Sequence, residues 1–233
     1  MGGGGVMSVG NPPRQLALAL DHPESFARED FLSGAPNAAG FALVENWPDW
    51  PSRAMVLIGP EGSGKSHLAA IWAARSGARF LAARALAAAN PTIALATGAL
   101  VLEDAADGGF DERALFHLLN LAREEEAFVL MTSRASPTLW TIGIRDLASR
   151  LKALPAVAIS APDDSLLRAV LVKHFTDRQL AVDESLVTYV LTRIERSFAA
   201  AQAIAARLDE EALRRKRPLT RTLAAKILRG AKA

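Results

Sequence analysis

A glycine-rich octapeptide between an apolar strand and a helix constrains the fold of this chain more than any other feature. Residues 59–66 read GPEGSGKS, a full match to the phosphate-binding pattern GxxxxGK[ST]. The run AMVLIG over 54–59 is typical of a strand buried on both faces, and a helix is predicted over about 65–75. This context favours a phosphate site in an α/β fold over a glycine turn that merely joins two elements.

Each residue type in the octapeptide suits the binding of a nucleoside polyphosphate. Glycines allow backbone N–H groups to point inward, and the helix N-terminus adds partial positive charge where the β-phosphate would lie. Lys65 is expected to bridge the β- and γ-oxygens, and the Ser66 hydroxyl to ligate Mg²⁺. The predicted contacts to ADP or ATP are Gly59, Pro60, Glu61, Gly62, Ser63, Gly64, Lys65, Ser66 and His67, of which His67 is expected to pack or cap rather than catalyse.

The segment LVLED at 100–104 provides carboxylates for the magnesium ion at the end of a predicted strand. Because side chains alternate along a strand, only one of Glu103 and Asp104 can point at the metal; Asp104, which ends the run, is favoured. The next residue, Ala105, cannot polarise an attacking water, so intrinsic hydrolysis is expected to be slow, unless the register differs by one and Glu103 serves instead. The sequence therefore predicts a protein that retains its nucleotide rather than one that hydrolyses ATP repeatedly.

Strands alternate with helices through the first two thirds of the chain. Further strands are predicted from residue 79 and over 99–104, 127–133 and 155–160, with a helix over about 111–125. This alternation indicates a three-layer α/β sandwich with a parallel five-stranded sheet. Helices are predicted after residue 161, over 163–174, 183–193, 198–214 and 220–228. We therefore expect an α/β core over 21–161 and a small all-α domain over 162–233.

Composition excludes several other classes of protein. Half of the 233 residues are hydrophobic and 22% are charged, which argues against disorder and allows a sizeable core. The absence of cysteine excludes disulfides, thiolate zinc sites and thiol nucleophiles. The sequence shows no signal-peptide core, and Asn90 and Pro91 interrupt its longest uncharged run, over 85–102. We expect a cytoplasmic protein without a membrane segment.

The formal net charge of +2 conceals an uneven distribution. Residues 212–233 contain eight basic side chains and no acidic one, whereas the rest of the chain carries 19 basic and 25 acidic residues. Leu219, Leu223, Ile227 and Leu228 recur at helical spacing, which indicates a packed helix with a basic outer face. Any contact with DNA there is expected to be weak, sequence-blind and strongly salt-dependent.

Several segments together resemble the DnaA-like AAA+ family, most closely its truncated Hda group of regulatory inactivators of DnaA. The resemblance covers the chain from about residue 15 and rests on DFL at 30–32 with PN at 36–37, GPEGSGKSHL at 59–68, LVLED at 100–104, MTS at 131–133 and RDLASRL at 145–151. It implies an AAA+ core followed by a helical lid. It also implies a regulator of replication initiation that promotes hydrolysis of DnaA-bound ATP. The resemblance is compatible with a homo-oligomer of this chain.

The resemblance also suggests roles for three arginines. It implies that Arg150 is an arginine finger acting on a nucleotide held by an adjacent subunit; the alternative is an (i, i+4) ion pair with Asp146. Arg196 is the nearest candidate for the sensor arginine of the lid. When the following helix is aligned by its later part, however, Ala199 occupies the sensor position. The alternative is therefore that Arg196 is a solvated lid residue. Arg134 stands where relatives carry Asp, and either contacts phosphate or faces solvent.

A short peptide after the Gly-rich start resembles the clamp-binding peptide of the Hda group. It contains Gln15 followed by Leu16, Leu18 and Leu20, in a leader predicted over residues 1–20. A Gln amide could bond at a pocket rim while the leucines fill a groove, although an edge strand would show the same alternation. The implied partners are the DNA polymerase sliding clamp and DnaA. A self-sufficient AAA+ ATPase such as a helicase loader is the alternative function, and a small-molecule kinase is the third.

Overall fold

The structure is a computed structural model that describes residues 27–106, 109–215 and 217–229. The predicted clamp-binding peptide, Gln15 to Leu20, lies outside the described residues. No helix in the described ranges is long and apolar enough to span a membrane.

A parallel five-stranded sheet forms the centre of the chain's first part. Its strands are β1 (Ala54–Ile58), β2 (Arg79–Ala82), β3 (Ala99–Glu103), β4 (Phe128–Ser133) and β5 (Ala156–Ala158). The spatial order is β2-β3-β4-β1-β5, so β1 lies between β4 and β5, with Leu57 opposite Thr132 and Val157. Each strand falls where the apolar runs of the sequence predict it, and the predicted fold class is confirmed.

Helices cover both faces of this sheet, and the strands divide their side chains between the two layers. Helices α1 (Ala38–Glu45) and α2 (Lys65–Ser76) pack on one face, where Trp72 meets Val101 in a common apolar cluster. On the other face lie α3 (Pro91–Ala94), α4 (Glu112–Glu124) and α5 (Arg145–Ala153). Leu115 and Leu147 share a second cluster there with Leu102. Alternation along β3 thus separates an α2 layer from an α4–α5 layer.

Within the part of the chain that the structure describes, four helices follow the sheet and build a third apolar cluster. They are α6 (Asp164–Asp177), α7 (Glu184–Leu191), α8 (Phe198–Arg215) and α9 (Arg221–Arg229). Phe175, Val187 and Leu208 are buried in this cluster together with Leu223 of α9. On α9 the apolar side chains point inward while Arg221 and Lys226 are exposed, as the helical spacing predicts. We call these four helices the lid.

Candidate nucleotide-binding site

The phosphate loop, residues 59–64, joins β1 to α2 and is fixed by its own hydrogen bonds. The backbone N–H of Gly59 donates to the carbonyl oxygen of Ser133 at 3.0 Å, which ties the loop to the end of β4. The Ser63 hydroxyl donates to a carbonyl within the loop at 2.8 Å. Gly62 and Gly64 have φ values of +68° and +95°, a region that side chains other than glycine rarely adopt. Gly62 and Gly64 are therefore required by the backbone geometry.

The lid approaches this loop so closely that one glycine has no room for a side chain. A Cβ atom on Gly62 would lie 2.6 Å from the Cβ of Ser197, just before α8. The backbone N–H of Phe198 donates to the carbonyl oxygen of Gly62 at 2.9 Å. A Cβ atom on Gly59 would likewise lie 2.8 Å from the carbonyl oxygen of Ile159, after β5. The loop is thus enclosed by the end of the sheet and the beginning of α8.

The N-terminus of α2 is left without a side-chain cap. Its N-cap residue is Gly64, whereas Asp111, Asp163 and Asp183 each accept a backbone N–H at the start of α4, α6 and α7. The first N–H groups of a helix have no partner within the helix, and they carry partial positive charge. The uncapped end of α2 therefore fits an anion such as a phosphate group.

Lys65 holds its ammonium group against the phosphate loop. The Nζ atom donates to the carbonyl oxygens of Gly59 and Pro60, both at 2.8 Å. Burial lowers the pKa of Lys65 from its ordinary value, the nearby carboxylate of Asp104 raises it, and the guanidinium of Arg134 lowers it. The loop therefore offers a cation, backbone donors and a free helix end to one ligand, which is the donor set that a polyphosphate requires.

Two carboxylates lie at the end of β3, and they differ in their backbone setting. Glu103 is half-buried and, by alternation with Val101, belongs to the α2 side of the sheet. Asp104 is exposed with a φ of +53°, and its backbone N–H donates to Thr132 Oγ1 at 3.1 Å. The sequence favours Asp104 as the metal ligand, whereas the face of the strand favours Glu103, the alternative that the sequence leaves open.

A magnesium ion at this site would depend on the nucleotide as well as on the protein. No cluster of three or more His, Cys, Asp or Glu side chains suited to a metal occurs among the residues described. Ser66, which is exposed in the first turn of α2, and one carboxylate at the end of β3 are the protein groups available. Mg²⁺ is commonly bound by few protein oxygens together with substrate phosphates and water, so this donor set fits the ion.

An ion pair that sequence reasoning did not foresee lies on the phosphate loop. The guanidinium of Arg134, directly after β4, pairs with the Glu61 carboxylate at 2.9 Å, and both side chains are largely exposed. The ends of β1 and β4 are neighbours in the sheet, which brings these two residues together from distant parts of the sequence. Their separation of more than 70 positions explains why no local pattern predicts the pair.

Aromatic side chains from three parts of the chain meet near the start of α2. Phe31 stacks on Phe41 with ring centroids 5.3 Å apart and contacts the His67 ring edge-on at 5.1 Å. A Cβ atom on Gly64 would lie 3.3 Å from the Phe198 ring and 3.9 Å from the Phe31 ring. In these contacts His67 packs on the segment that precedes the sheet. The rings provide an apolar wall beside the phosphate loop.

Arg150, the predicted arginine finger, lies on α5 and contacts α4. Its Nη1 donates to Asn120 Oδ1 at 2.7 Å, and its guanidinium carbon is 5.2 Å from the centroid of the Phe116 ring. The ion pairs of the described residues do not include one between Arg150 and Asp146, the alternative raised by the (i, i+4) spacing. Arg150 therefore belongs to the α4–α5 layer, across the sheet from α2.

Arg196, the candidate sensor, is directed to another helix of the lid. Its guanidinium pairs with the Asp164 carboxylate at 3.0 Å and is 67% exposed. The following residue, Ser197, is the one that contacts Gly62. The structure thus puts the backbone next to Arg196 at the phosphate loop, while the guanidinium is held at the start of α6.

The chain matches no protein-family model and no curated protein, but solved structures share its fold. Domain III of the Thermotoga maritima replication initiation protein DnaA has a TM-score of 0.71 and 14% identity, covering 88% of this chain and 96% of that one. AMPPCP-bound DnaA from Aquifex aeolicus has a TM-score of 0.62 and 17% identity, covering 82% and 68%.

The Holliday junction branch migration motor RuvB from Thermotoga maritima gives a TM-score of 0.61 at 16% identity, covering 76% of this chain and 61% of that one. The likeness therefore extends over the sheet and the lid together, although identities this low concern the architecture alone. The five-stranded parallel sheet, the phosphate loop after its strand β1 and the helical region that follows give this chain a DnaA-like AAA+ fold.

Proposed function

We propose that this chain is a nucleotide-binding regulator of replication initiation that docks on the DNA polymerase sliding clamp and promotes hydrolysis of ATP bound to DnaA. The observation that carries the proposal is that one chain contains both a complete phosphate loop and an arginine, Arg150, held in the helix layer on the opposite face of the sheet from α2. Such a chain can hold one nucleotide and offer a cation to a second. We further propose that it acts in the cytoplasm and is able to form homo-oligomers.

ADP or ATP is the ligand proposed for the phosphate loop. Lys65 would exchange its two carbonyl acceptors, on Gly59 and Pro60, for phosphate oxygens, and the uncapped end of α2 would donate backbone N–H groups. Ser66 and a carboxylate of β3 would hold Mg²⁺, which when bound neutralises charge on the phosphates. The apolar wall of Phe31 and Phe198 lies where a flat base could pack.

Slow intrinsic hydrolysis follows from the residues after β3. Ala105 is fully buried, so the position after Asp104 offers no side chain to orient water. Asp104 itself is exposed and turned out of the strand by its positive φ. The site is therefore better suited to retaining a nucleotide than to repeated turnover.

Arg150 is the group proposed to act on the nucleotide of DnaA. A guanidinium brought to a γ-phosphate stabilises the negative charge that develops during phosphoryl transfer, an effect worth about 10³-fold or more in rate. In this chain the guanidinium is half-exposed and held by Asn120 and the Phe116 ring. Those neighbours limit its rotamers, so less conformational entropy is lost when it engages a partner.

The proposal is tested by the ATPase activity of DnaA, measured with and without DNA-loaded clamp. The chain is expected to raise DnaA turnover when the clamp is present, and Arg150→Ala to remove that stimulation. Arg145→Ala is the matched control, because Arg145 is an exposed arginine of the same helix, and this variant should retain full stimulation. Full stimulation by the Arg150 variant would show that the finger is wrongly assigned.

Clamp docking is tested separately through the peptide at the front of the chain. A pulldown with sliding clamp is expected to lose the chain when Gln15 and Leu18 are both changed to Ala. Capture that is unaffected by this double change would reject the docking peptide while leaving the Arg150 proposal standing.

A self-sufficient ATPase is the second candidate function, because Glu103 lies on the α2 side of β3. In that position its carboxylate could orient water beside a metal held by Ser66. Turnover of ATP by the isolated chain that disappears with Glu103→Gln would favour this candidate. Weak turnover that is unchanged by Glu103→Gln would support the regulatory proposal instead.

A further inference from the structure

Two open grooves adjoin on the lid between α7 and α9. The larger measures about 570 Å³ and the smaller about 420 Å³. Tyr189 and Arg221 line both, so the tyrosine ring stands between the two grooves. We call the pair the α7–α9 groove. Glu184, Thr188, Thr192 and Arg193 also line the larger groove, and Thr222 and Lys226 the smaller one.

The charge of the α7–α9 groove is predominantly positive. Arg193, Arg221 and Lys226 belong to none of the ion pairs in the described part of the chain. Glu184 is the acidic residue of the lining, and its carboxylate is already paired with Arg168. Nearby, the Asp183 carboxylate accepts hydrogen bonds at the start of α7. The guanidinium of Arg193 already donates to the Tyr189 carbonyl oxygen and to Thr192 Oγ1, so Arg221 and Lys226 are the cations that can meet an anionic ligand.

The aromatic ring of Tyr189 lies beside these cations. The guanidinium carbon of Arg193 lies 3.8 Å from the centroid of the Tyr189 ring, and that of Arg221 lies 5.5 Å from it. Threonine hydroxyls line both grooves around the ring. Arginine, lysine and hydroxyl groups are the usual contacts of phosphodiesters, while aromatic rings and guanidinium planes stack on unpaired bases. A single strand of nucleic acid offers both partners at once.

We propose that the α7–α9 groove binds single-stranded nucleic acid without regard to sequence. Phosphates lie against Arg221 and Lys226, and a base packs on Tyr189 and the Arg193 guanidinium. The bases of a duplex are paired, so a duplex would contact the cations but could not stack a base on Tyr189. An acidic peptide has no planar base to stack on the tyrosine ring. The groove is built from lid residues and uses no residue of the phosphate loop, so the proposal is independent of the nucleotide and clamp proposals.

Fluorescence anisotropy of labelled 20-nucleotide strands, titrated with the full chain at several salt concentrations, tests this site. Two unrelated single-stranded sequences are expected to bind equally. The double variant Arg221→Glu with Lys226→Glu should raise Kd more than about tenfold and lower the salt slope by about 1.4, which is the loss of two phosphate contacts. An equally labelled duplex should bind less tightly than the single strand.

The matched control reverses two other basic residues close in sequence. Arg214 and Arg215 both pair with Glu211 and line neither groove, so Arg214→Glu with Arg215→Glu changes the net charge equally without touching the proposed contacts. Much smaller changes in Kd and salt slope are expected. An equal loss in this control would mean that only the general basicity of the lid matters, and would overturn the site.

The stacking step is tested by changes at Tyr189. Tyr189→Phe should retain binding, whereas Tyr189→Leu, which keeps apolar bulk against the lid cluster, should weaken it severalfold with an unchanged unfolding temperature. Equal binding by both variants would overturn the base contact. Tighter binding of the duplex, or displacement of the strand by polyglutamate as effective as by unlabelled strand, would overturn the single-strand assignment.

Discussion

The N-terminus of α2, at the phosphate loop, lacks a side-chain cap, whereas the N-termini of the lid helices α6 and α7 have one. In the lid, Asp163 and Asp183 accept backbone N–H groups at the starts of α6 and α7, so those helix ends are satisfied within the protein. At α2 the cap position is Gly64, and no side chain serves the helix end. A capped end stabilises the fold, whereas an open end gives up that stabilisation and keeps its donors for a ligand. At α2 the open end coincides with the phosphate loop, whereas the capped ends of α6 and α7 lie in the lid.

The largest expected effect concerns the cation at the open end. Lys65→Ala should raise the Kd for ATP about 100-fold or more, because a buried, hydrogen-bonded positive charge at the proposed phosphate site is removed. Isothermal titration with Mg²⁺ present measures it. Lys152→Ala, at an exposed lysine of α5, should bind as the unaltered chain does. Wild-type affinity in the Lys65 variant would contradict the nucleotide site.

Two left-handed glycines, before and after α2, separate backbone strain from contact with the lid. Gly62→Ala and Gly77→Ala both introduce a side chain at a φ near +70°, which costs about 1–2 kcal/mol. Only the Gly62 variant also clashes with Ser197, since a Cβ atom on Gly77 meets nothing within 4 Å. We expect Gly62→Ala to weaken ATP binding about tenfold and Gly77→Ala to leave it unchanged. Equal ATP affinities would show that the lid contact does not shape the loop.

A smaller effect is expected from the acid on the phosphate loop. Glu61→Gln should strengthen ATP binding about two- to fivefold, because it removes a negative charge near the proposed phosphate site and frees Arg134. The pair is exposed, so the effect should shrink as salt is added. Glu124→Gln, at an exposed end of α4, is the control and should change nothing. Weaker binding by the Glu61 variant would mean that the carboxylate helps to hold the ligand.

The smallest effect is predicted for the caps of the lid. Asp163→Ala should lower Tm by about 2–4 °C without changing ATP affinity, because α6 loses the acceptor for its first N–H groups. Asp183→Ala should behave alike at α7. Thermal unfolding measures both, and a loss of ATP binding would contradict the division between capped and open ends.

The caps also predict a pH dependence. The Leu166 backbone N–H, followed by the Ser165 hydroxyl, lowers the pKa of Asp163, and the Ser185 hydroxyl, followed by the Leu186 N–H, lowers that of Asp183. Because the folded pKa is depressed, the stabilisation is complete above the unfolded pKa and is lost as pH falls through the folded pKa. The Tm difference between the chain and its Asp163→Asn variant should therefore persist at pH 7 and shrink below about pH 4.

Local patterns explain why most of the fold could be predicted. Strands β1 and β4 are apolar runs buried on both faces, and α9 repeats its apolar residues at helical spacing, so each is visible within a few residues of sequence. The choice between Glu103 and Asp104 was harder, because it depends on which strand face meets α2 and on the positive φ of Asp104. Neither property follows from residue type alone.

By itself the sequence determined the five strands, the helices α2, α4 and α6 to α9, the phosphate-loop motif and the basic end of the chain, because each depends on neighbours a few residues apart. Only the tertiary structure decided that Ser197 contacts Gly62, that Arg134 pairs with Glu61 and that Arg150 of α5 bonds to Asn120 of α4. It also brought Tyr189 and Arg221 together from α7 and α9. These contacts join residues distant in sequence, and they form only when packing of the apolar clusters brings separate elements side by side.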